Sequence, residues 1–422
     1  MRIGLWKPLL RPGFLNNPFK AQYLGFETII AYMKQVAPQH EIVVGTVEGM
    51  NLAGMSCVSE TFHLVKAACK GLRRSGFAGP IILGGPHITA LPETLPFEAD
   101  CCVVGPGEQT FKELVAEYEK TRNPDLSQIA GVAYRDSNGV MQQTQRRVPL
   151  PMDDLPVNVE VLPNEWMQLA TIRGCPYRCE HCVEHTNQGK LRWLSAEKLV
   201  WIMEERMRIT GNPNFFFQDD TFLAAPGRLK KIHEIMTQKD ILRKAKIHLI
   251  SMNANLVKAD TIPMLKDIGA VTIGMGAESW SPRVIQAMKR GVVTQADLLR
   301  VLDYAKIAEM LPVGGSLAFG FPGETRAEME ESISNARKMQ ESGAFQVWGC
   351  FVIQPLPGSR LWDRFLTQGR VSAGMDFSTL RIDADMRHFG TPWAYWNEEE
   401  IKREDFVKMA LASGFVRKGT FV

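Results

Sequence analysis

Met167-Gln-Leu-Ala-Thr171-Ile-Arg-Gly174-Cys175-Pro-Tyr-Arg-Cys179-Glu-His181-Cys182 is the stretch that decides the reading of this chain. Its first half is a short apolar run of strand character. The Gly-Cys-Pro that follows turns the strand into a loop carrying three thiols within eight positions. Downstream, β-rich runs at 215–218, 247–252, 271–275, 316–320 and 345–353 alternate with helical runs at 196–210, 228–238, 261–268, 295–309 and 327–342. With 167–174 these make six strands joined by helices, the pattern of a barrel or most of one. Such barrels do their chemistry at the C-terminal ends of the strands, which is where the three thiols fall.

Upstream, short strands at 3–6, 41–45, 52–55, 80–84 and 101–105 alternate with helical stretches at 24–35, 60–74 and 109–119, as in a parallel sheet covered on both faces. Only about seven residues separate the strands near Val44 and Ala53, fewer than a helical crossover needs, so one crossover helix is expected to be missing. Residues 123–166 hold Pro149, Pro151, Pro156 and Pro163 and a hairpin signal at Asp136-Ser-Asn-Gly139, and read as a linker. The fold class expected is α/β: a doubly wound parallel sheet over 1–122, the linker 123–166, a partial (β/α)6 barrel over 167–361 and a C-terminal region over 362–422.

At 422 residues the chain is too long for one ordinary core. Lys plus Arg less Asp plus Glu is 49 − 46 = +3, too balanced for a protein that binds nucleic acid by neutralising phosphates. The uncharged stretch near 344–359 contains two glutamines and two prolines and is too short and polar for a membrane span. Met1-Arg-Ile-Gly-Leu-Trp-Lys7 lacks the apolar run of a signal peptide, and eight cysteines are too sparse for a disulfide scaffold, so a cytoplasmic protein is expected.

Three thiolates on one short loop can hold three irons of a cubane cluster and leave the fourth iron open, whereas a closed structural site normally has four ligands. The other readings are a zinc site completed by His181 or His185, and three reduced cysteines without metal.

The spacing Cys175-x-x-x-Cys179-x-x-Cys182 after a strand resembles the radical S-adenosylmethionine enzymes. The resemblance implies a [4Fe-4S] cluster whose open iron is chelated by the amino and carboxylate groups of S-adenosylmethionine. It also implies reductive cleavage to a 5′-deoxyadenosyl radical, and a flavodoxin- or ferredoxin-type electron donor. The family's aromatic residue before the third cysteine, beside the adenine, is replaced here by His181. Asp219 and Asp220 stand where the family meets the cofactor's ammonium, with helix capping as the plain alternative. Asn253 and Asn255 end the next strand, as ribose or carboxylate partners or as turn formers. Glu278 in Gly276-Ala-Glu-Ser279 resembles a family glutamate near the cofactor, and Pro322 lies in Gly320-Phe-Pro-Gly-Glu-Thr325, which resembles the turn that passes the adenine.

Gly84-Gly85-Pro86-His87 and Gly105-Pro-Gly107-Glu108 resemble the cobalamin-binding domain that precedes the barrel in one large subclass, although any doubly wound sheet places glycines at strand ends. A cobalt-ligating histidine signature is absent, since Lys7 to Lys20 contains no histidine. The resemblance implies cobalamin-dependent C-methylation of a small-molecule substrate. The alternatives are a cobalamin-free elimination, rearrangement or epimerisation with a vestigial N-terminal sheet, and a non-catalytic iron–sulfur electron carrier. Cys350 and Tyr395 are candidate hydrogen donors for the cobalamin-free case, and Trp393, Tyr395 and Trp396 with His388 form either a substrate lid or a docked C-terminal segment.

Overall fold

The computed structural model describes residues 1–8, 24–159, 166–309, 313–381 and 394–415. They form two compact units; the first gathers Met1–Asn158, Val183–Gly189 and Leu356–Leu380, and the second holds the other described residues.

The first unit is built on a seven-stranded sheet of β1 (Arg2–Trp6), β2 (Glu41–Val44), β3 (Leu52–Ser56), β4 (Ile81–Gly84), β5 (Cys101–Val103), β6 (Val132–Arg135) and β7 (Met141–Gln143). The order is β2-β1-β3-β4-β5-β6-β7, parallel through β5 and antiparallel for the last two. Helices α1 (Leu24–Val36), α2 (Phe62–Arg74), α3 (Pro86–Ala90) and α4 (Glu108–Lys120) follow β1, β3, β4 and β5. Ile3, Leu5, Met33, Leu52, Phe111, Leu114 and Val115 make part of its core.

The segment from β2 to β3 contains no helix, as its length requires, and crosses β1 directly. A Cβ on Gly4 would lie 2.5 Å from the Thr46 carbonyl oxygen and 2.8 Å from the Val47 Cα, so glycine in β1 lets the loop lie flat where a helix would otherwise stand off. The hairpin expected within the linker is instead the antiparallel edge of this sheet. Its turn is held by Asp136, whose Oδ1 accepts from the Asn138 and Val140 amides, and by Gly139 at φ 77°.

The second unit begins with β8 (Met167–Leu169) and β9 (Ile172–Arg173), and α5 (Glu184–Asn187) then passes into the first unit. The chain continues through β10 (Arg192–Trp193), α6 (Ala196–Thr210), β11 (Asn214–Phe217), α7 (Arg228–Gln238), β12 (Lys246–Leu249), α8 (Thr261–Asp267) and β13 (Ala270–Gly274). After these come α9 (Pro282–Met288), α10 (Gln295–Ile307), β14 (Val313–Phe319), α11 (Arg326–Glu341), β15 (Gln346–Val352), α12 (Arg360–Thr367), which belongs to the first unit, and α13 (Arg403–Ala412). Six parallel strands in the order β15-β14-β13-β12-β11-β8 form an open, partial barrel, as the alternation predicts. Phe215, Phe217, Ile247, Leu249 and Ile273 are buried on one face, while Gln168, Phe216, His248 and Thr272 share a register layer on the other. Helix starts follow their caps: Thr294 with Asp297 and Thr325 with Glu328 each close a capping box.

Two later segments complete the first unit. α5 packs against α3, with the Thr186 hydroxyl donating to the Gly358 carbonyl at 2.7 Å and Arg146 donating to the Thr186 carbonyl. Phe377 sits edge-on to His87, with ring centroids 4.6 Å apart, and also contacts Phe62 and Trp362. The stretch 356–380, which the sequence reading divides between the barrel exit and the C-terminal region, therefore belongs with the N-terminal sheet.

Candidate active site

The approach to the cysteine loop is held from the next strand. Asp219, buried just beyond β11, accepts from the Thr171 amide, the Thr171 hydroxyl and, at 2.9 Å, the Ile172 amide. Buried Arg228 donates to the carbonyls of Leu194, at 2.8 Å, and Thr171. Burial pushes the Asp219 carboxyl up to about 6, against the pull of Arg228 and of these donors. Asp220 accepts from the Gly174 amide, so both aspartates that sequence points toward the cofactor's ammonium hold the loop's entry arm.

The loop itself is pinned at three further places. The Tyr177 hydroxyl accepts from Asn255 Nδ2 at 3.1 Å, the Glu180 amide donates to the Met288 carbonyl at 2.9 Å, and the Cys182 amide donates to the Cys179 carbonyl in a turn. Cys179 is buried, and Cys175 and Cys182 are partly exposed. Burial pushes the Cys175 thiol up to about 11 and raises Cys179 despite the nearby Lys289, so ligation would cost both their protons. Among the described residues no three His, Cys, Asp or Glu side chains converge on a point that one ion would occupy. A cubane asks for something else, thiolates spread over separate irons.

Beside the loop lies an ionic group of which sequence reading finds only part. Lys289, buried at the end of α9, places its ammonium 2.6 Å from Glu278 Oε1, and His181 Nε2 lies 3.7 Å from the same oxygen. Burial would raise the Glu278 carboxyl, but Lys289 and His181 overcome it and hold the group well below the usual carboxylate range. Glu278 Oε2, His181 Nδ1 and Asn255 Oδ1 are buried without a hydrogen-bond partner among the described residues. Such orphaned atoms next to a thiol loop suit a ligand that brings an ammonium, hydroxyls and ring nitrogens. Lys289 is invisible to motif reading, and the only hint of it in the sequence is a Lys-Arg-Gly ending a helix shortly after Gly276-Ala-Glu-Ser279.

At the opposite rim the turn after β14 is fixed by buried Glu324, whose Oε2 accepts from the Gly320 amide at 2.8 Å and from the Phe321 amide. Pro322 lies within this turn. Asn253 stands at the start of the single turn Ala254–Leu256. Residues 394–397 dock beside these strand ends. Asn397 accepts from the Gly323 amide and donates to the Glu324 carbonyl, Gln354 joins Ala394 and Trp396, and the Tyr395 ring packs on Phe406 beside Gly320. His388 and Trp393 lie outside the described residues. Two expected hydrogen donors thus have other surroundings. Tyr395 is a docking residue whose hydroxyl is raised by burial and by Glu324. Cys350 is buried as the register partner of Leu317 on β15, against which α11 packs, and burial pushes its thiol up to about 12.

In the first unit the expected cobalamin residues divide. Gly84 faces open space, where an added Cβ meets nothing within 4 Å, and Pro86 is exposed. Gly105, at φ 91°, has only the Arg146 guanidinium near its missing side chain, so Gly84 and Gly105 leave a ledge without side chains just beyond β4 and β5. Gly85, at φ 98°, is closed in by the Cys57 backbone, Gly107 abuts Ile29 and Val103, and Glu108 is buried at the start of α4. His87 is not a ligand group: its ring nitrogens meet the hydroxyls of Ser59 at 3.0 Å and Thr94 at 3.2 Å, and its ring lies 4.0 Å from Phe62. Burial, and then Lys66, lower its pKa to about 3, so it stays neutral.

The family profile of the Radical SAM superfamily matches residues 169–336. An uncharacterized methyltransferase of Pyrococcus horikoshii is 30% identical over 359 residues, covering 81% of this chain and 72% of that protein. Among solved structures, the radical S-adenosylmethionine methyltransferase TsrM of Kitasatospora setae, with cobalamin and a [4Fe-4S] cluster bound, superposes with a TM-score of 0.68 at 16% identity, over 87% of this chain and 78% of that one. The cobalamin-dependent radical enzyme OxsB, with aqua-cobalamin and S-adenosylmethionine bound, gives 0.65 at 17% identity, over 93% of this chain and 64% of that one. At these identities both share the fold of this chain. No helix among the described residues is long and apolar enough to cross a membrane.

Proposed function

The chain belongs to the radical SAM superfamily, and from that premise we propose that it is a cobalamin-dependent C-methyltransferase acting on an unactivated carbon of a small molecule. The observation that carries this reading is the three-cysteine loop pinned beside the unpartnered Glu278 Oε2, Asn255 Oδ1 and His181 Nδ1. Cys175, Cys179 and Cys182 would hold a [4Fe-4S] cluster. Glu278 Oε2 would take the ammonium of S-adenosylmethionine, with Asn255 and His181 left for its hydroxyls and ring nitrogens. When bound, cluster and S-adenosylmethionine supply a hydrogen-abstracting deoxyadenosyl radical, and cobalamin supplies a transferable methyl group.

The chain's own part is to hold and exclude. Asp219 and Asp220 fix the entry to the loop, and Lys289 keeps one Glu278 oxygen occupied so that the other stays directed. Residues 394–397 would cover part of the rim and help keep stray hydrogen donors away from a radical. Gly84, Pro86 and Gly105 leave the ledge on which cobalamin would rest. Electrons would come from a flavodoxin- or ferredoxin-type donor. A second reading is favoured by one observation: the loop 45–51 replaces a crossover helix of the N-terminal sheet, consistent with a vestigial domain and cobalamin-free radical chemistry.

The test is anaerobic reconstitution with iron and sulfide, with and without hydroxocobalamin, followed by desalting, metal analysis and an assay for 5′-deoxyadenosine from S-adenosylmethionine. About four irons per chain with stoichiometric cobalt support the methyltransferase. Iron without retained cobalt selects the second reading, and a chain that loads no iron rules out both. Alanine at any of the three cysteines should abolish deoxyadenosine formation in a folded protein, and full activity in such a variant would sink the assignment.

A further inference from the structure

We propose that Lys289 is a positioning residue whose fixed positive charge, buried against the cysteine loop, raises the reduction potential of the cluster held there. This rests on the reading of Cys175, Cys179 and Cys182 as cluster ligands and goes beyond it, since no ligand pattern calls for this lysine.

The geometry is specific. Lys289 lies between two contacts with the loop: the Met288 carbonyl accepts from the Glu180 amide, and the Arg290 guanidinium is 3.4 Å from the Glu180 carboxylate. Arg290 holds a left-handed φ of 54° ahead of Gly291 at 74°, a conformation unfavourable for a non-glycine residue, in the turn that carries both cations. Gly276 makes room for the ammonium, for a Cβ there would stand 2.5 Å from Lys289 Nζ. The lysine is 5% exposed, and a buried cation needs strong compensation. Burial alone would lower its pKa, but the Glu278 carboxylate 2.6 Å away is the main group that reverses this, so the ammonium persists.

A charge so placed has a thermodynamic consequence. Each one-electron reduction adds negative charge at the thiolates, and a neighbouring cation stabilises the reduced form over the oxidised one. Glu278 works in the opposite direction, so the pair sets a balance: loss of the lysine leaves an uncompensated carboxylate, and loss of the carboxylate leaves an uncompensated ammonium.

The experiment is a potentiometric titration of the reconstituted protein, followed by the electron paramagnetic resonance of the reduced cluster and without substrate turnover. Lys289→Met should reduce the ratio of reduced to oxidised cluster at fixed potential by at least tenfold, equivalent to about 59 mV for one electron. Lys289→Arg should restore the wild-type value, and Glu278→Gln should move the midpoint upward. A role confined to packing would lower iron content without opposite shifts in the two variants. If Lys289→Met does not load, Glu278→Gln carries the test by itself, and an unchanged or lowered midpoint overturns the proposal. If the wild-type chain binds no cluster, the functional reading itself fails first, and the metal analysis shows this before any titration.

Discussion

Replacing Asp219 separates its bracing role from a cofactor contact, because the two roles make opposite demands on the protein without ligands. In Asp219→Ala the Thr171 and Ile172 amides lose their buried acceptor, and the Thr171 hydroxyl loses a third bond. Leaving a buried donor unsatisfied costs about 1–3 kcal/mol, so two amides together cost about 4 kcal/mol. Asp219→Asn keeps an acceptor for both amides and sheds the cost of burying a charge, so about 1 kcal/mol is expected. The difference, about 3 kcal/mol, corresponds to roughly a hundredfold faster hydrogen exchange at Thr171 and Ile172. Peptide-resolved exchange of the apoprotein over 167–174 reads this directly. The same carboxylate sets a pH dependence. Its folded pKa of about 6 lies above the ordinary 3.8, so the native state binds the extra proton and this segment loses up to about 3 kcal/mol as pH rises through that window. Asp219→Asn should abolish that slope. Exchange in Asp219→Ala within threefold of wild type, accompanied by weaker S-adenosylmethionine binding, would refute the bracing argument.

Other expectations are equally direct. Gly84→Ala adds a methyl group to open space and should leave thermal stability unchanged while reducing cobalamin retention. Gly85→Ala, forced against the Cys57 backbone at φ 98°, should cost more than about 2 kcal/mol, and the two melting curves compare them. His87, neutral in the fold with a pKa near 3 against an ordinary 6.5, makes the first unit lose stability as pH falls from 6.5 toward 3. His87→Phe should flatten that dependence in denaturant titrations, and should leave the visible spectrum of any bound cobalamin unaltered. Asn397→Ala orphans the Gly323 amide and the Glu324 carbonyl, and limited proteolysis should then cut more readily within 394–415.

The fold was legible wherever hydrophobic runs were short, periodic and punctuated. Six barrel strands, the parallel N-terminal sheet and the Asp136 hairpin follow from alternation and turn chemistry, and the absent crossover helix follows from residue count alone. What sequence could not supply was where a well-formed element docks. The hairpin 132–143 has the same local pattern in a linker as at a sheet edge. Phe377 looks like any aromatic residue until it is found against His87 and Phe62. His87 illustrates the same limit. Gly-Gly-Pro-His after a strand reads as a ligand loop, yet the helix begun by Pro86 turns the imidazole into the core, where Ser59 and Thr94 occupy both nitrogens.

At the cysteine loop the sequence names residue types but not the directions in which they point. Asp219 and Asp220 both turn to the loop's entry arm, at the amides of residues 171, 172 and 174. Here both are consumed by a prior need. A loop with almost no regular structure leaves most of its amides without internal partners. The segments that follow supply acceptors in chain order: Asp219 for residues 171 and 172, Asp220 for 174, and Met288 for 180, with Asn255 holding Tyr177 between them. On the proposed reading, polar residues at the first strand ends are scaffold, and the atoms left over, Glu278 Oε2, Asn255 Oδ1 and His181 Nδ1, are the ones offered to a ligand. That inversion explains why Lys289 escaped motif reading. It completes no pattern of its own, and on the proposed reading its place is to keep the carboxylate that remains for the ligand charged, oriented and balanced beside the three cysteines.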